Sequence, residues 1–352
     1  MAPISIKNAD SLLKAQATDK MSLVNATQEV KFERKGDTKM IKRSVMLVAV
    51  ALFLAFSIAF AVVSRQNRTL KQAREGFVTK LIPQPREKTP VPAPPPNMFQ
   101  LVHYDSPKGK LPAYLSLDPH DGKRHPVIIW IMGGEGHSID EYLWKAPDMS
   151  NDQSVSAYRD SGVMIMHPSL RGGNDNPGEQ EGFLGEVDDV IAAADFLAKQ
   201  EYIDPDRIYL GGHSTGGTLV LLTAEMTAKF RAVFSFGPTD DISRYGVDRQ
   251  PFDVSNRKEI DLRSPGLWLN SIKSPVFVFE GTVDPSNIGS VEIMQKSSEN
   301  PLIHFFSVEG ATHFSILDPT NMLIAKKILA DDGKIMNIEF NEDALNRPFL
   351  RK

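Results

Sequence analysis

The constraint that most narrows the fold of this chain is an alternation. Short apolar runs at residues 127–132, 163–167, 207–212, 232–236, 276–280 and 303–308 are each bounded by turn residues, the pattern of buried strands. Between them lie segments with apolar residues three and four apart. One puts Val187, Val190, Ile191, Ala194 and Leu197 on one face, a second starts at Ser214, and a third runs from about Pro319 to Ala330. Strand alternating with helix predicts an α/β protein with a mainly parallel sheet covered on both faces. Residues 101–105 and 113–117 read as a leading antiparallel hairpin, which brings the expected sheet to about eight strands. In such sheets reactive groups collect beyond the carboxyl ends of the strands.

After the run at 207–212 the sequence reads YLGGHSTGGTLVLL, residues 209–222, with four glycines around one serine. Glycine loses more backbone entropy on folding than any other residue, so such a cluster implies a turn too tight for side chains. Gly212-His213-Ser214-Thr215-Gly216 fits G-x-S-x-G between a strand and a helix. There Gly212 and Gly216 let neighbouring backbone pass while Ser214 projects from a strained turn. A serine hydroxyl needs a base to attack at neutral pH. Asp284 follows the run at 276–280 in GTVDP, and His313 follows the run at 303–308 in EGATHF. Serine, aspartate and histidine thus stand beyond three strands in that chain order. His313 is expected to take the serine proton, and Asp284 to orient the imidazole and stabilise its cation. Asp240 and Asp241, after the run at 232–236, offer an earlier position for the acid.

A developing oxyanion needs backbone donors. The amide of Thr215 is one, and the loop GGEGHS after residue 132 supplies Gly133, Gly134 and Glu135 as candidates for the other. His304 reads as a packed or edge strand residue, His167 as a structural hydrogen-bonder before Pro168, and His137 as a surface residue. His213 lies inside the turn and is expected to tune it without acting as base. The segment 237–275 is too long for a simple connection. It is expected to contain a helix and to cap the site in part, with Tyr245, Phe252, Leu267 and Trp268 beside Arg244, Arg249, Arg257 and Arg263. An arginine facing the site would favour a substrate with an anionic end.

With VIIWIMGGEG, HPSLRGGNDNPG, GEVDDVIAAADFL, IDPDRIYLGGHSTGG, SPVFVFEGTVDP and EGATHF on the page, residues 99 to 331 resemble an α/β-hydrolase. Within that superfamily they are most similar to the catalytic domain of the prolyl oligopeptidase family and its dienelactone-hydrolase-like relatives. The resemblance implies Ser214 as nucleophile, Asp284 as acid and His313 as base, with no cofactor or metal. It also matches Glu186, Asp188 and Asp189 to an acidic helix start that serves the helix dipole and loop salt bridges. Two departures turn the expectation from peptidase toward esterase. The family's peptidases carry a large N-terminal propeller, for which residues 64–98 leave no room, and Met132 stands where their oxyanion loop usually has histidine. The substrate expected is a small acyl compound, with a short peptide as the alternative. A silent binding protein that kept the fold is the reading from another class.

The chain has 352 residues, 41% apolar and 24% charged, within the range of globular proteins. A net charge of −4 gives no case for nucleic-acid binding, and the absence of cysteine excludes disulfides, a thiolate nucleophile and Cys-ligated metals. Residues 1–44 show no sustained apolar period and read as a mobile tail. Residues 45–63, VMLVAVALFLAFSIAFAVV, contain Ser57 as their one polar residue. As a helix they would span roughly 28 Å, enough for a single membrane crossing. Lys42 and Arg43 abut this run and favour a cytoplasmic N-terminus, with the remainder extracytoplasmic. Residues 64–98 read as a basic, then proline-rich linker, and 99–352 as the catalytic domain.

Overall fold

A computed structural model describes residues 68–246 and 250–350. The apolar runs form one sheet of eight strands: β1 (Phe99–Ser106), β2 (Gly109–Ser116), β3 (His125–Ile131), β4 (Met164–Pro168), β5 (Ile203–His213), β6 (Val233–Phe236), β7 (Val276–Val283) and β8 (Ile303–Thr312). Their spatial order is β1-β2-β4-β3-β5-β6-β7-β8. The β1–β2 hairpin is antiparallel and joins antiparallel to β4, while every later pairing is parallel.

Among the described residues the helices are α1 (Leu70–Arg74), α2 (Ser156–Ser161), α3 (Glu186–Leu197), α4 (Thr215–Met226), α5 (Arg257–Asp261), α6 (Ile288–Ser297), α7 (Leu317–Ala330) and α8 (Glu342–Asn346). Successive strand side chains point to opposite faces, and β3 shows the consequence. Val127, Ile129 and Ile131 pack with Val187 and Val190 of α3 and Leu219–Leu222 of α4. Ile128 and Trp130 pack with Tyr158 of α2 and with Ile324 and Ile328 of α7 on the other side. The segment 237–275 contains the expected helix, α5, among short 3₁₀ turns.

The body begins earlier than residue 99. Leu70 is fully buried, its amide donates to Ser271 Oγ at 3.0 Å, and the Arg74 guanidinium donates to the carbonyls of Leu262, Leu184 and Phe183. Leu81 pairs with Phe252 in an isolated bridge, and Val91 and Met98 pack on Phe99 and Tyr114. Residues 68–98, read as a linker from their composition, are fastened to the domain by these scattered apolar residues. The apolar run 45–63 lies outside the described residues. Among those described, no helix is long and apolar enough to cross a membrane.

The acidic start of α3 is a structural hub. Asp189, fully buried, receives Nε and Nη2 of Arg171 at 2.8 Å each and the Arg171 amide at 2.9 Å. Arg171 Nη1 reaches Glu181 at 2.7 Å. Removing one partner of a buried ion pair strands the other without compensation. Arg171→Ala should therefore lower stability by about 3–5 kcal/mol, read as a reduced midpoint in urea or guanidinium unfolding.

Candidate active site

Register aligns the strand ends. Across the sheet Ile131 pairs with Gly212, His213 with Phe236, and Phe236 with Phe279. One residue further along, Ser214, Gly237 and Glu280 stand side by side. The ladder extends to them, since the Ser214 amide donates to Phe236 O at 2.7 Å and the Gly237 amide to Phe279 O at 2.8 Å.

Ser214 has φ 56° and ψ −116° and caps α4. A non-glycine residue held there costs on the order of 1–3 kcal/mol and persists only where its surroundings enforce it. Gly212 and Gly216 provide that enforcement. A Cβ on Gly212 would stand 2.6 Å from Gly216 O, and one on Gly216 would overlap the carbonyls of β3. The turn closes because neither residue has a side chain.

His313 follows β8, is 7% exposed, and directs Nδ1 to Glu280 Oε2 at 3.0 Å. The carboxylate accepts, so Nδ1 carries the proton and Nε2 keeps its lone pair. The expected acid, Asp284, forms no hydrogen bond with His313. Strand β7 continues to Val283, with a register shift against β8 after Gly281. The loop returns beside β8, with Val283 paired to Thr312 and the Pro285 carbonyl accepting from the His313 amide at 2.8 Å, but Asp284 itself is exposed. Asp240 pairs with Arg244, and Asp241 caps the next turn, so neither alternative reaches the histidine. Glu280 is fully buried, with the Ser286 hydroxyl 3.2 Å from its Oε1. Its signal in the sequence was a charge ending a wholly apolar strand, which must find a partner once buried. Gly237 makes room for the pair: its φ is +54°, and a Cβ there would overlap both the carboxylate and the imidazole.

His213 packs against His313. Its ring lies 4.4 Å from that of His313, and its Nε2 donates to the His313 carbonyl at 2.9 Å. Burial, then the neighbouring His313, press its pKa to about 3, so it stays neutral. His137 is not a free surface group. It lines the cavity, and its Nε2 lies 3.3 Å from Glu186 Oε1. Burial pushes the Glu186 carboxyl up, but His137 and backbone amides outweigh it and hold it at about 2. His167 is buried edge-on to Phe99, and neither of its ring nitrogens has a hydrogen-bond partner, contrary to the bond expected of it. His304 stacks on Phe277.

Ser214, Thr215, Gly134 and Glu135 line a cavity of about 930 Å³, the upper range for small-ligand sites. The Thr215 hydroxyl donates to Gly134 O at 2.8 Å, tying the turn to the loop after β3. The Gly133 amide donates to Gln153 Oε1 at 2.8 Å and is withdrawn from the site. The amides of Thr215, Gly134 and Glu135 have no such partner among the described residues. Of the arginines in 237–275, Arg249 lies outside the described residues, Arg244 and Arg257 form surface pairs, and Arg263 is buried against Glu259 and Phe252. None of the described three lines the cavity; Arg86 does.

The profile of the prolyl oligopeptidase family matches residues 149–286. The uncharacterized peptidase YtmA of Bacillus subtilis is 26% identical over 183 residues, 48% of this chain and 67% of that one. A puromycin-hydrolyzing peptidase of Mycobacterium tuberculosis superposes with a TM-score of 0.54 at 20% identity, over 69% of this chain and 41% of that one. A hyperthermophilic esterase of Pyrobaculum calidifontis gives 0.50 at 18% identity, over 67% and 86%. This chain thus spans less than half of the solved peptidase. The sheet order and the solved neighbours give the chain the α/β-hydrolase fold. Its relationship is to the prolyl oligopeptidase family, with peptidases and esterases both among its structural neighbours.

The Glu280–His313 geometry has a spectroscopic test. The Nδ1 proton shared with a buried carboxylate should resonate far downfield in proton NMR. Glu280→Gln should move that signal upfield and Asp284→Asn should leave it in place; the reverse pattern would restore Asp284 as the partner.

Proposed function

We propose that the chain hydrolyses small carboxylic esters through an acyl-enzyme formed on Ser214. The observation that carries this reading is the row of strand ends, which sets Ser214 beside a buried His–carboxylate pair at the mouth of a cavity. Ser214 Oγ attacks the acyl carbonyl as His313 Nε2 takes its proton. The oxyanion is met by the amides of Thr215 and of Gly134 or Glu135. The intermediate collapses as the imidazolium returns the proton to the leaving alkoxide. Water then repeats the sequence on the acyl-enzyme and frees Ser214. Glu280 holds the tautomer and balances the imidazolium charge. No hydrogen bond joins Ser214 to His313 in the unliganded structure, and such bonds commonly tighten only when substrate is bound.

Short-peptide hydrolysis is the second reading, supported by the peptidase names of YtmA and the mycobacterial protein. Esters are preferred because their leaving groups depart more easily and residues 68–98 form a packed segment rather than a gating domain. Glu135 and Glu179 line the cavity and oppose an anionic substrate end, although only Nη2 of the neighbouring Arg86 is engaged by backbone carbonyls and its Nη1 has no protein partner.

A fluorophosphonate probe should label the chain and fail to label Ser214→Ala. Turnover of p-nitrophenyl esters should exceed that of aminoacyl and dipeptidyl amides, and Glu280→Gln should lower kcat by roughly 10³–10⁴-fold while Asp284→Asn changes it little. Strong amide turnover with negligible ester turnover would favour the peptidase. Absent labelling would favour a silent binding protein.

The apolar run 45–63 extends the proposal to a membrane-anchored enzyme, with residues 1–44 in the cytoplasm and the catalytic domain outside. Protease added to intact cells or spheroplasts should then cleave the domain; protection until lysis would reverse the orientation.

A further inference from the structure

The cavity beside Ser214 has a wall that the catalytic domain's own strands do not supply. Six consecutive residues of the proline-rich segment, 81–86, line it. They are fastened on both sides. The Ile82 amide donates to Pro251 O at 2.8 Å, next to the Leu81–Phe252 bridge, and Arg86 Nη2 reaches the carbonyls of Gly178 at 3.3 Å and Asn176 at 3.4 Å. Upstream, Arg74 of α1 holds the Phe183 carbonyl at 3.0 Å; downstream, the Tyr114 hydroxyl donates to Pro92 O at 2.7 Å. Between these points Ile82 is 48% exposed, an apolar side chain left without cover at the cavity.

The cavity also contains an apolar platform. Phe183 has φ 72°, an outlier for a bulky residue that must be held by its surroundings. Its ring stacks on Tyr245 at 5.8 Å and 22°, and the Tyr245 hydroxyl lies 2.7 Å from Thr218 Oγ1 on α4. Phe183, Tyr245 and Pro251 line the same cavity as Leu81, Ile82 and Pro83. The polar groups Glu135, Glu179 and Gln180 line it too. An extended, proline-stiffened segment loses little entropy when it is ordered as a wall.

We propose that residues 81–86 are a specificity-determining wall that receives the apolar acyl chain of the substrate, with Arg86 as the positioning residue that fastens the wall. The substrate class is an uncharged ester of a medium-length aliphatic acid. This rests on the reading of Ser214 as nucleophile. The chain beyond the carbonyl lies against Leu81, Ile82 and Pro83, facing the Phe183–Tyr245 platform. A hydrophobic contact of this size separates substrates differing by a few methylenes, while a chain too short to reach the wall is indifferent to it.

The test compares p-nitrophenyl octanoate with p-nitrophenyl acetate on the full chain and on Ile82→Ala and Arg86→Ala. Both variants should lower the octanoate-to-acetate ratio of kcat/KM roughly tenfold, mainly through KM for octanoate, while fluorophosphonate labelling persists. A merely misfolded variant would lose acetate turnover and labelling together. An octanoate-to-acetate ratio of kcat/KM unchanged in both variants would overturn the wall. Because the chain has no cysteine, Ile82→Cys gives a unique thiol for a readout free of turnover. In a Ser214→Ala background, octanoate ester should slow alkylation of that thiol and acetate ester should not. Protection without wild-type turnover would retain the wall and sink the hydrolase reading. Turnover without protection would do the opposite.

Discussion

The site depends on one constraint, that three neighbouring parallel strands are in register where β5 and β6 end and β7 runs on. His213, Phe236 and Phe279 are paired across β5, β6 and β7, so the next residue of each strand shares one row. Each position in that row has a distinct requirement. Ser214 must leave the sheet sharply, which its left-handed φ and the glycines at 212 and 216 achieve. Gly237 must be empty above its backbone, because the Glu280–His313 pair occupies the volume a side chain would take. Glu280 must turn toward that vacancy. A side chain added at the middle position would separate the outer two.

The electrostatics follow from the same geometry. A buried carboxylate is costly unless paired and hydrogen-bonded, and Glu280 is met by the imidazole on one oxygen and lies near the Ser286 hydroxyl on the other. The two adjacent histidines take opposite parts. His313 has a carboxylate on Nδ1 and can accept a proton at Nε2 with that charge balanced. His213 has no carboxylate, is fully buried, and is kept neutral with its pKa near 3. Its side-chain bond to the His313 carbonyl holds the backbone of that residue. Glu186 and His137 repeat the acid–imidazole pairing on the loop after β3, where the pair ties that loop to the start of α3.

What was legible in the sequence was what local pattern controls. The strands, α3, α4 and α7 show their period directly, and Ser214 announces itself through glycines that no regular element would tolerate. His313 is marked by standing on a loop after the last apolar run. Asp284 was read as the acid because G-x-x-D after a strand is a strong local cue, whereas His313 Nδ1 bonds Glu280. Glu280 was read as the end of that strand, where nothing in the sequence shows the empty space above Gly237. The proline-rich segment failed for a related reason. Composition fixes its extended backbone but not where that backbone lies. Its fastenings, to Phe252, Gly178 and Tyr114, are all distant in sequence.

The choice of glutamate has a consequence for the loop beyond β7. An aspartate at the strand end would be one methylene shorter and would stop short of an imidazole that the 3.0 Å bond of Glu280 just reaches. An acid carried on the loop, as Asp284 would be, must instead have its backbone brought back over the site. With the longer side chain rooted in the sheet, the imidazole is oriented by the most rigid part of the domain. Residues 282–285 lie exposed, and their contribution is a backbone one, the Pro285 carbonyl accepting from the His313 amide at 2.8 Å. Precision therefore comes from the ladder rather than from a loop, which suits a site whose remaining wall, residues 81–86, is an extended segment lying on the body with few bonds of its own.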